Sequence, residues 1–207
     1  MNQKNSLGLN SCFLDLDDPL ELFRIWMSEA EKKEINDPNA LSLATSSGKK
    51  EPSVRIVLLK GISQKGFVFY TNLDSPKSID LKENPIAAMC FHWKSLQRQV
   101  RVSGAITQVS YQEADKYFNS MPYESRIGAL ASNQSTIMKD RAELLERIKI
   151  YKKKYNNEKN LLRPKNWSGW CLKPESIEFW LGDQYRIHER LRYKKVLKQW
   201  KKEILYP

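Results

Sequence analysis

Cysteine and histidine are scarce in this chain, and a long apolar run is missing altogether. The three cysteines, Cys12, Cys90 and Cys171, are odd in number, widely spaced and without a CxxC pair. That argues against a disulfide scaffold and against a cysteine-rich zinc site. Two histidines, His92 and His188, are too few for a multi-histidine centre, so no metal is expected. No segment approaches the roughly 18 uninterrupted apolar residues of a membrane span. The opening MNQKNSLGLNSCFLDLDD has no apolar stretch behind a basic cluster, so a secretory signal is not expected. P-loop, GxGxxG, HExxH and GxSxG patterns are absent too, which removes the common nucleotide, zinc and hydrolase signatures. The expectation is a soluble, cytoplasmic protein that makes no use of a membrane.

What is present suffices for a core. Of 207 residues, 41% are hydrophobic and 11% aromatic, which excludes global disorder and fits one domain spanning 1–207. Lysine and arginine number 35 against 24 acidic residues, a net charge of +11. The balance is uneven: residues 1–40 carry four basic and eight acidic groups, whereas residues 186–202 carry eight basic groups against Glu189 alone. A basic field of this kind recruits phosphates, on nucleic acid, on lipid or on a small molecule.

Asp18-Pro19-Leu20-Glu21 reads as a helix start, with Asp as N-cap, Pro in the first turn and Glu placed for a capping box. Leu22, Ile25, Trp26 and Ala30 follow at helical spacing, and Asn36-Asp37-Pro38 should end the helix. Residues 1–18 are read as a flexible arm. From residue 40 the pattern becomes ALSLATS, PSVRIVLLK, GFVFYT, PIAAMCFHW and RQVRVSGAITQVS, short β-branched and aromatic runs separated by tight turns. These predict an antiparallel sheet or barrel. Helices are predicted from Asp74-Ser75-Pro76, from the capping box at Ser110, and over 136–155, the longest helical stretch. WSGWCLK, SIEFWLG and YRIHERLRY read as separate returning strands.

Four stretches could carry chemistry. Arg55 and Lys60 end one strand, either as solvent-facing charges or as an anion site at each end of a barrel strand. Ser75-Pro76-Lys77 offers a hydroxyl, free backbone N–H groups and an ammonium, a cradle suited to phosphate but also an ordinary helix start. Gln99 and Arg101 share one face of a strand, where an amide could meet a heterocycle edge or simply water. Arg186, His188 and Arg190, two apart, would share a strand face. Three such groups repel unless an anion or water separates them, and Trp180 nearby could stack on a ring.

The series RIVLLK, VFYTN, SPKS, NP, W-x4-RQVRVSG, KYF, S-x-IGA, SNQS, WSGW, IEFW and RIHER, in this order and spacing, resembles the pyridoxamine 5′-phosphate oxidase family from about residue 19 onward. The resemblance implies a mainly β fold with peripheral helices, an FMN-binding split β-barrel, homodimeric, with FMN between subunits. It implies oxidation of pyridoxamine 5′-phosphate or pyridoxine 5′-phosphate to pyridoxal 5′-phosphate, with O2 reduced to H2O2. It further implies FMN contacts from Arg55, Ile56, Val57, Leu58, Leu59, Lys60, Tyr70, Thr71 and Lys77, with Gln134 and Ser135 adding polar groups. Gln99, Trp180 and Arg190 would complete the flavin site, Gln99 from the partner. Lys60, Tyr117 and Ser125 would meet the substrate phosphate, while Arg186 and His188 would cover its ring as the catalytic pair.

This sequence departs from the family pattern at three usual arginine positions, occupied here by Pro76, Met121 and Ile204, and in lacking a basic N-terminal arm. Pro76 and Met121 keep a flavin- or pyridoxal-phosphate-binding relative without turnover as an alternative. The net charge keeps a nucleic-acid-binding module as another, although no nucleic-acid motif is present and no nucleic acid is expected as a partner.

Overall fold

The computed structural model describes residues 4–48, 51–156 and 160–207. Its backbone is a nine-stranded antiparallel sheet that curls around one core, with helices at the periphery. The strands are β1 (Ala40–Ser46), β2 (Pro52–Leu58), β3 (Gly61–Ser63), β4 (Gly66–Asn72), β5 (Ile86–Trp93), β6 (Arg98–Gln108), β7 (Trp167–Leu181), β8 (Glu189–Val196) and β9 (Gln199–Leu205). The order is β2-β1-β5-β6-β7-β4-β3, with β8 on β7 and β9 on β8.

The 15-residue β7 organises the barrel. One edge pairs with β6 along its length; the other pairs first with β4 (Trp167 to Leu172) and then with β8 (Ser176 to Leu181). WSGWCLK and SIEFWLG, predicted as two strands, are therefore one. The intervening Pro174-Glu175 is absorbed by a bulge: Ser103 faces Ser176 but Gly104 faces Pro174, leaving Glu175 as the extra residue. A bulge is where a strand tolerates proline, because no ladder N–H is required there. Gly104 permits it, since a Cβ would lie 2.1 Å from the Lys173 carbonyl oxygen.

The first helix, α1 (Pro19–Lys33), starts at the predicted Asp18-Pro19, with Asp18 accepting from the Leu20 N–H, but Glu21 does not close the capping box expected there. Its apolar face closes the core. Phe23 sits edge-on to Phe67 and Phe91, both at 4.9 Å, and Trp26 contacts Phe13 and Phe179. Residues 4–18 are not the flexible arm expected. Phe13 is fully buried, the Trp26 indole donates to the Cys12 carbonyl, and the Tyr193 hydroxyl donates to the Leu16 carbonyl.

The remaining helices are α2 (Pro76–Glu83), α3 (Tyr111–Ser120), α4 (Tyr123–Ala131) and α5 (Arg141–Lys154). Ser110 and Glu113 form the capping box read from sequence. The helix expected over 136–155 begins only at Arg141, capped by Asp140, and is shorter than α1. A second apolar cluster of Phe118, Ile127, Leu161 and Trp167 joins α3 and α4 to the barrel. No helix of the described residues is long and apolar enough to cross a membrane.

Candidate active site

A cleft of about 720 Å3 opens between β2, β4, the start of α2 and the α3–α4 corner. It gathers most of the residues singled out from sequence: Arg55, Ile56, Val57, Leu58, Lys60, Tyr70, Thr71, Lys77, Tyr117, Ser125, Gln134 and Ser135 all line it. Leu59 does not. It lies just past the end of β2 with its side chain buried in the core, while its N–H donates to the Asn39 carbonyl.

At one end lies Lys77, in the first turn of α2 and only 7% exposed. Its ammonium donates to Thr71 Oγ1 (3.2 Å), Ser75 Oγ (3.1 Å) and Gln134 Oε1 (3.4 Å). No carboxylate pairs with it among the described residues. Burial lowers its pKa from the ordinary 10.5, and the nearby Arg55 cation lowers it further. Ser75 is the N-cap, but its hydroxyl donates back to the Asn72 carbonyl at 2.7 Å and makes no side-chain cap bond. Pro76 has no N–H and the Ser78 and Ile79 N–H groups bond the Ser75 carbonyl, so the start of α2 favours an anion through the positive end of the helix dipole and the buried cation.

Arg55 projects from β2 on the side shared by Val57. Burial lowers its pKa, and Asp80 partly offsets this. The opposite wall is aromatic. Tyr70 stacks on Tyr117 at 4.0 Å and on Trp167 at 5.3 Å, with ring planes within 9°. Gly169 faces Tyr70 across the β4–β7 ladder, and a Cβ there would come within 2.7 Å of the Tyr70 ring. Tyr70's pKa is raised, first by burial and then by Glu113. Met121, at the end of α3, and Pro76 also line the cleft, so two of the three departures from the family's arginines fall on its walls, while Ile204 lies on β9. Arg126 is buried but does not line it.

None of the other expected residues lines this cleft; Gln99, Trp180, Arg190 and His188 form a separate patch, and Arg186 lies in the exposed turn before it. Gln99, Trp180 and Arg190 are direct neighbours across β6, β7 and β8, a row unreadable without the register. Arg190 is held by Glu178, its Nε and Nη2 donating to Oε1 at 3.0 and 2.8 Å, and Nη1 donates to the Tyr206 carbonyl. The predicted strand face of Arg186, His188 and Arg190 does not exist. Residues Gln184–Arg186 form a 3-10 turn with Tyr185 and Arg186 at φ 57° and 65°, and β8 begins only at Glu189. The turn still brings His188 to the row. Its ring lies 4.7 Å from that of Trp180, and its Nδ1 accepts from the Asp183 N–H at 3.1 Å. Sequence reasoning missed Trp167 as a cleft wall, and it missed the hydroxyl and carboxylate groups behind Arg55.

Residues 27–155 match the family model described as pyridoxamine 5′-phosphate oxidase, and residues 167–207 match that of the pyridoxine 5′-phosphate oxidase C-terminal dimerisation region. The chain belongs to the pyridoxamine 5′-phosphate oxidase family. Among its relatives, a pyridoxine/pyridoxamine 5′-phosphate oxidase of Pelagibacter ubique (strain HTCC1062) is 60% identical, with all of both chains covered. Another from Gluconobacter oxydans (strain 621H) is 48% identical over 92% of this chain and 94% of its own. Among solved structures, PhzG from Burkholderia lata 383, in complex with tetrahydrophenazine-1-carboxylic acid, superposes with a TM-score of 0.89. It is 27% identical and covers 95% of this chain and 96% of its own. A pyridoxamine 5′-phosphate oxidase-related, FMN binding protein from Nostoc punctiforme PCC 73102 shares the fold, with a TM-score of 0.72 at 17% identity over 89% of this chain and 97% of its own. The second patch, apart from Gln99, lies wholly within the dimerisation region of this oxidase family.

Proposed function

We propose that this chain oxidises pyridoxine 5′-phosphate and pyridoxamine 5′-phosphate to pyridoxal 5′-phosphate, using FMN bound between two copies of the chain. Pyridoxine 5′-phosphate plus O2 gives the aldehyde plus H2O2; the amine also consumes water and releases ammonia. The observation that carries the FMN assignment is Lys77, a buried ammonium without a carboxylate partner at a helix start, beside Arg55. A buried uncompensated cation is costly unless an anion completes the site. A flavin phosphate fits that donor set. The strand from Arg55 to Leu58, which lines the same cleft, would flank the ribityl chain and ring.

FMN, when bound, supplies the acceptor for the hydride leaving the substrate's C4′ carbon. The protein's part is to hold, orient and polarise. Lys77, Arg55 and the α2 N-terminus hold the flavin phosphate, while Thr71, Gln134 and Ser135 offer hydroxyl and amide groups around it. Lys60, Tyr117 and Ser125 anchor the substrate phosphate, fixing the ring at one end so that C4′ is presented in a near-attack position. From the second copy, Gln99 would offer its amide to the flavin edge, and Trp180 and Arg190 would complete its site. Arg186 and His188 lie over the substrate ring, excluding water and favouring charge that develops in the transition state. With Nδ1 accepting from Asp183, neutral His188 carries its proton on Nε2, the atom left to face substrate.

The two patches of one chain complete each other only across a dimer. The test is a steady-state assay of the FMN-loaded protein with each phosphorylated vitamer, following aldehyde and H2O2 in parallel with light scattering. Equimolar aldehyde and H2O2 from a dimer are expected. A flavin-saturated monomer, or flavin binding without either product, would overturn the proposal.

A further inference from the structure

Behind Arg55 lies a group of side chains that no cleft contact accounts for. Thr45 and Ser53 are cross-strand partners on β1 and β2. Both hydroxyls donate to one oxygen of Asp80 on α2: Thr45 Oγ1 at 2.6 Å and Ser53 Oγ at 3.0 Å. Each hydroxyl in turn accepts from Arg55, whose Nη1 lies 2.7 Å from Thr45 Oγ1 and whose Nη2 lies 2.5 Å from Ser53 Oγ. A carboxylate only accepts and a guanidinium only donates, so the direction of all four bonds is fixed. The remaining Nη1 hydrogen goes to the Leu43 carbonyl at 3.1 Å.

Three of the five guanidinium N–H groups are thereby used, and two are left. Asp80 itself stays 4.0 Å from Nη2. Direct fork-to-fork pairing would have consumed two parallel N–H groups and neutralised the cation beside the cleft. The interposed hydroxyls take one N–H from each terminal nitrogen and hold Asp80 back at 4.0 Å, so they fix the plane of the guanidinium while its Nε–H and one Nη2 N–H stay unspent and the carboxylate stays out of direct contact. Asp80 also stands one helical turn after Lys77, so the same carboxylate ties the orientation of Arg55 to the helix that carries the buried ammonium.

We infer that Thr45, Ser53 and Asp80 are positioning residues that aim Arg55 at the phosphate of FMN. The inference rests on the reading of the cleft as a flavin site. It has particular weight in this chain because Pro76 stands where an arginine would have supplied another phosphate cation. With that cation gone, the aim of Arg55 matters more.

The test compares FMN with riboflavin, which has the same ring and ribityl chain but no phosphate, by fluorescence titration of flavin-free full-length protein. Thr45→Val combined with Ser53→Ala removes both relays and leaves every charge in place. FMN affinity is expected to fall about tenfold, the scale of one charge-assisted hydrogen bond, while riboflavin affinity stays at the parental value. Thr45→Ser combined with Ser53→Thr keeps both hydroxyls and should bind FMN like the parent. Equal losses for FMN and riboflavin would mean general packing damage and overturn the inference, as would an unchanged FMN affinity in the Val/Ala variant. A parent protein that binds FMN no more tightly than riboflavin would instead refute the phosphate cradle itself.

Discussion

Replacing Lys77 by methionine should move two observables in different ways. In the flavin-free protein the ammonium is 7% exposed, has no carboxylate partner among the described residues, and has its pKa lowered by burial. Its hydroxyl acceptors do not depend on it: Thr71 also donates to Gln134 at 3.0 Å, and Ser75 donates to the Asn72 carbonyl at 2.7 Å. Methionine fills similar volume and orphans neither hydroxyl, so the flavin-free protein should keep or slightly gain stability. FMN, by contrast, loses a charge-assisted contact of about 1.5–3 kcal/mol, a rise in Kd of roughly 10- to 150-fold. At a fixed excess of FMN that same free energy disappears from ligand-linked stabilisation. At roughly 2–4 °C per kcal/mol for a chain of this size, the FMN-induced rise in Tm should shrink by about 3–12 °C. Thermal melts of parent and variant, with and without FMN, read both effects. A flavin-free variant destabilised by more than about 2 kcal/mol would make Lys77 a structural residue. An undiminished FMN-induced shift would place the phosphate elsewhere.

Three further outcomes are expected. Met121→Arg puts a cation on the cleft wall near Tyr117 and Ser125 and should lower KM for pyridoxine 5′-phosphate with kcat little changed, because the phosphate is remote from the reacting carbon; an unchanged or higher KM in steady-state assays refutes it. FMN affinity should fall as pH rises through the pKa of Lys77, which burial lowers from its ordinary 10.5, because a bound phosphate holds the ammonium protonated and binding then takes up a proton. Titrations across the alkaline range should show a slope of up to about tenfold per pH unit, flat in Lys77→Met; equal slopes in both would assign the effect to another group. Burial pushes the Cys12 thiol up to about 11 from 9.0, so at pH 8 its thiolate fraction is about 100-fold below that of an ordinary thiol. Mass-resolved alkylation should find it much slower than a small-molecule thiol, and comparable rates would contradict its packing against α1.

Local chemistry was legible from the sequence because its signals lie within a few residues of one another. Asp18 and Ser110 cap helices where their spacing predicted, β1, β2 and β4 to β6 follow alternation, and Lys77 lies at the start of α2 because Ser-Pro set it there. The family pattern, read in order, named nearly every residue that lines the cleft. Tertiary structure decided the rest. WSGWCLK and SIEFWLG read as two strands, but a bulge against Gly104 lets β7 run through Pro174, since only the partner strand determines whether a ladder N–H is missed. Arg186 and His188 looked like strand residues at period two, but left-handed backbone at Tyr185 and Arg186 turns the chain there, and the residue types carry no signal for that. The row Gln99–Trp180–Arg190 exists only through the register of three strands. The same holds for Asp80, whose bonds to Thr45 and Ser53 span 35 and 27 residues. A sequence states which groups are available; the meeting of a carboxylate, two hydroxyls and a guanidinium depends on how three separate elements pack.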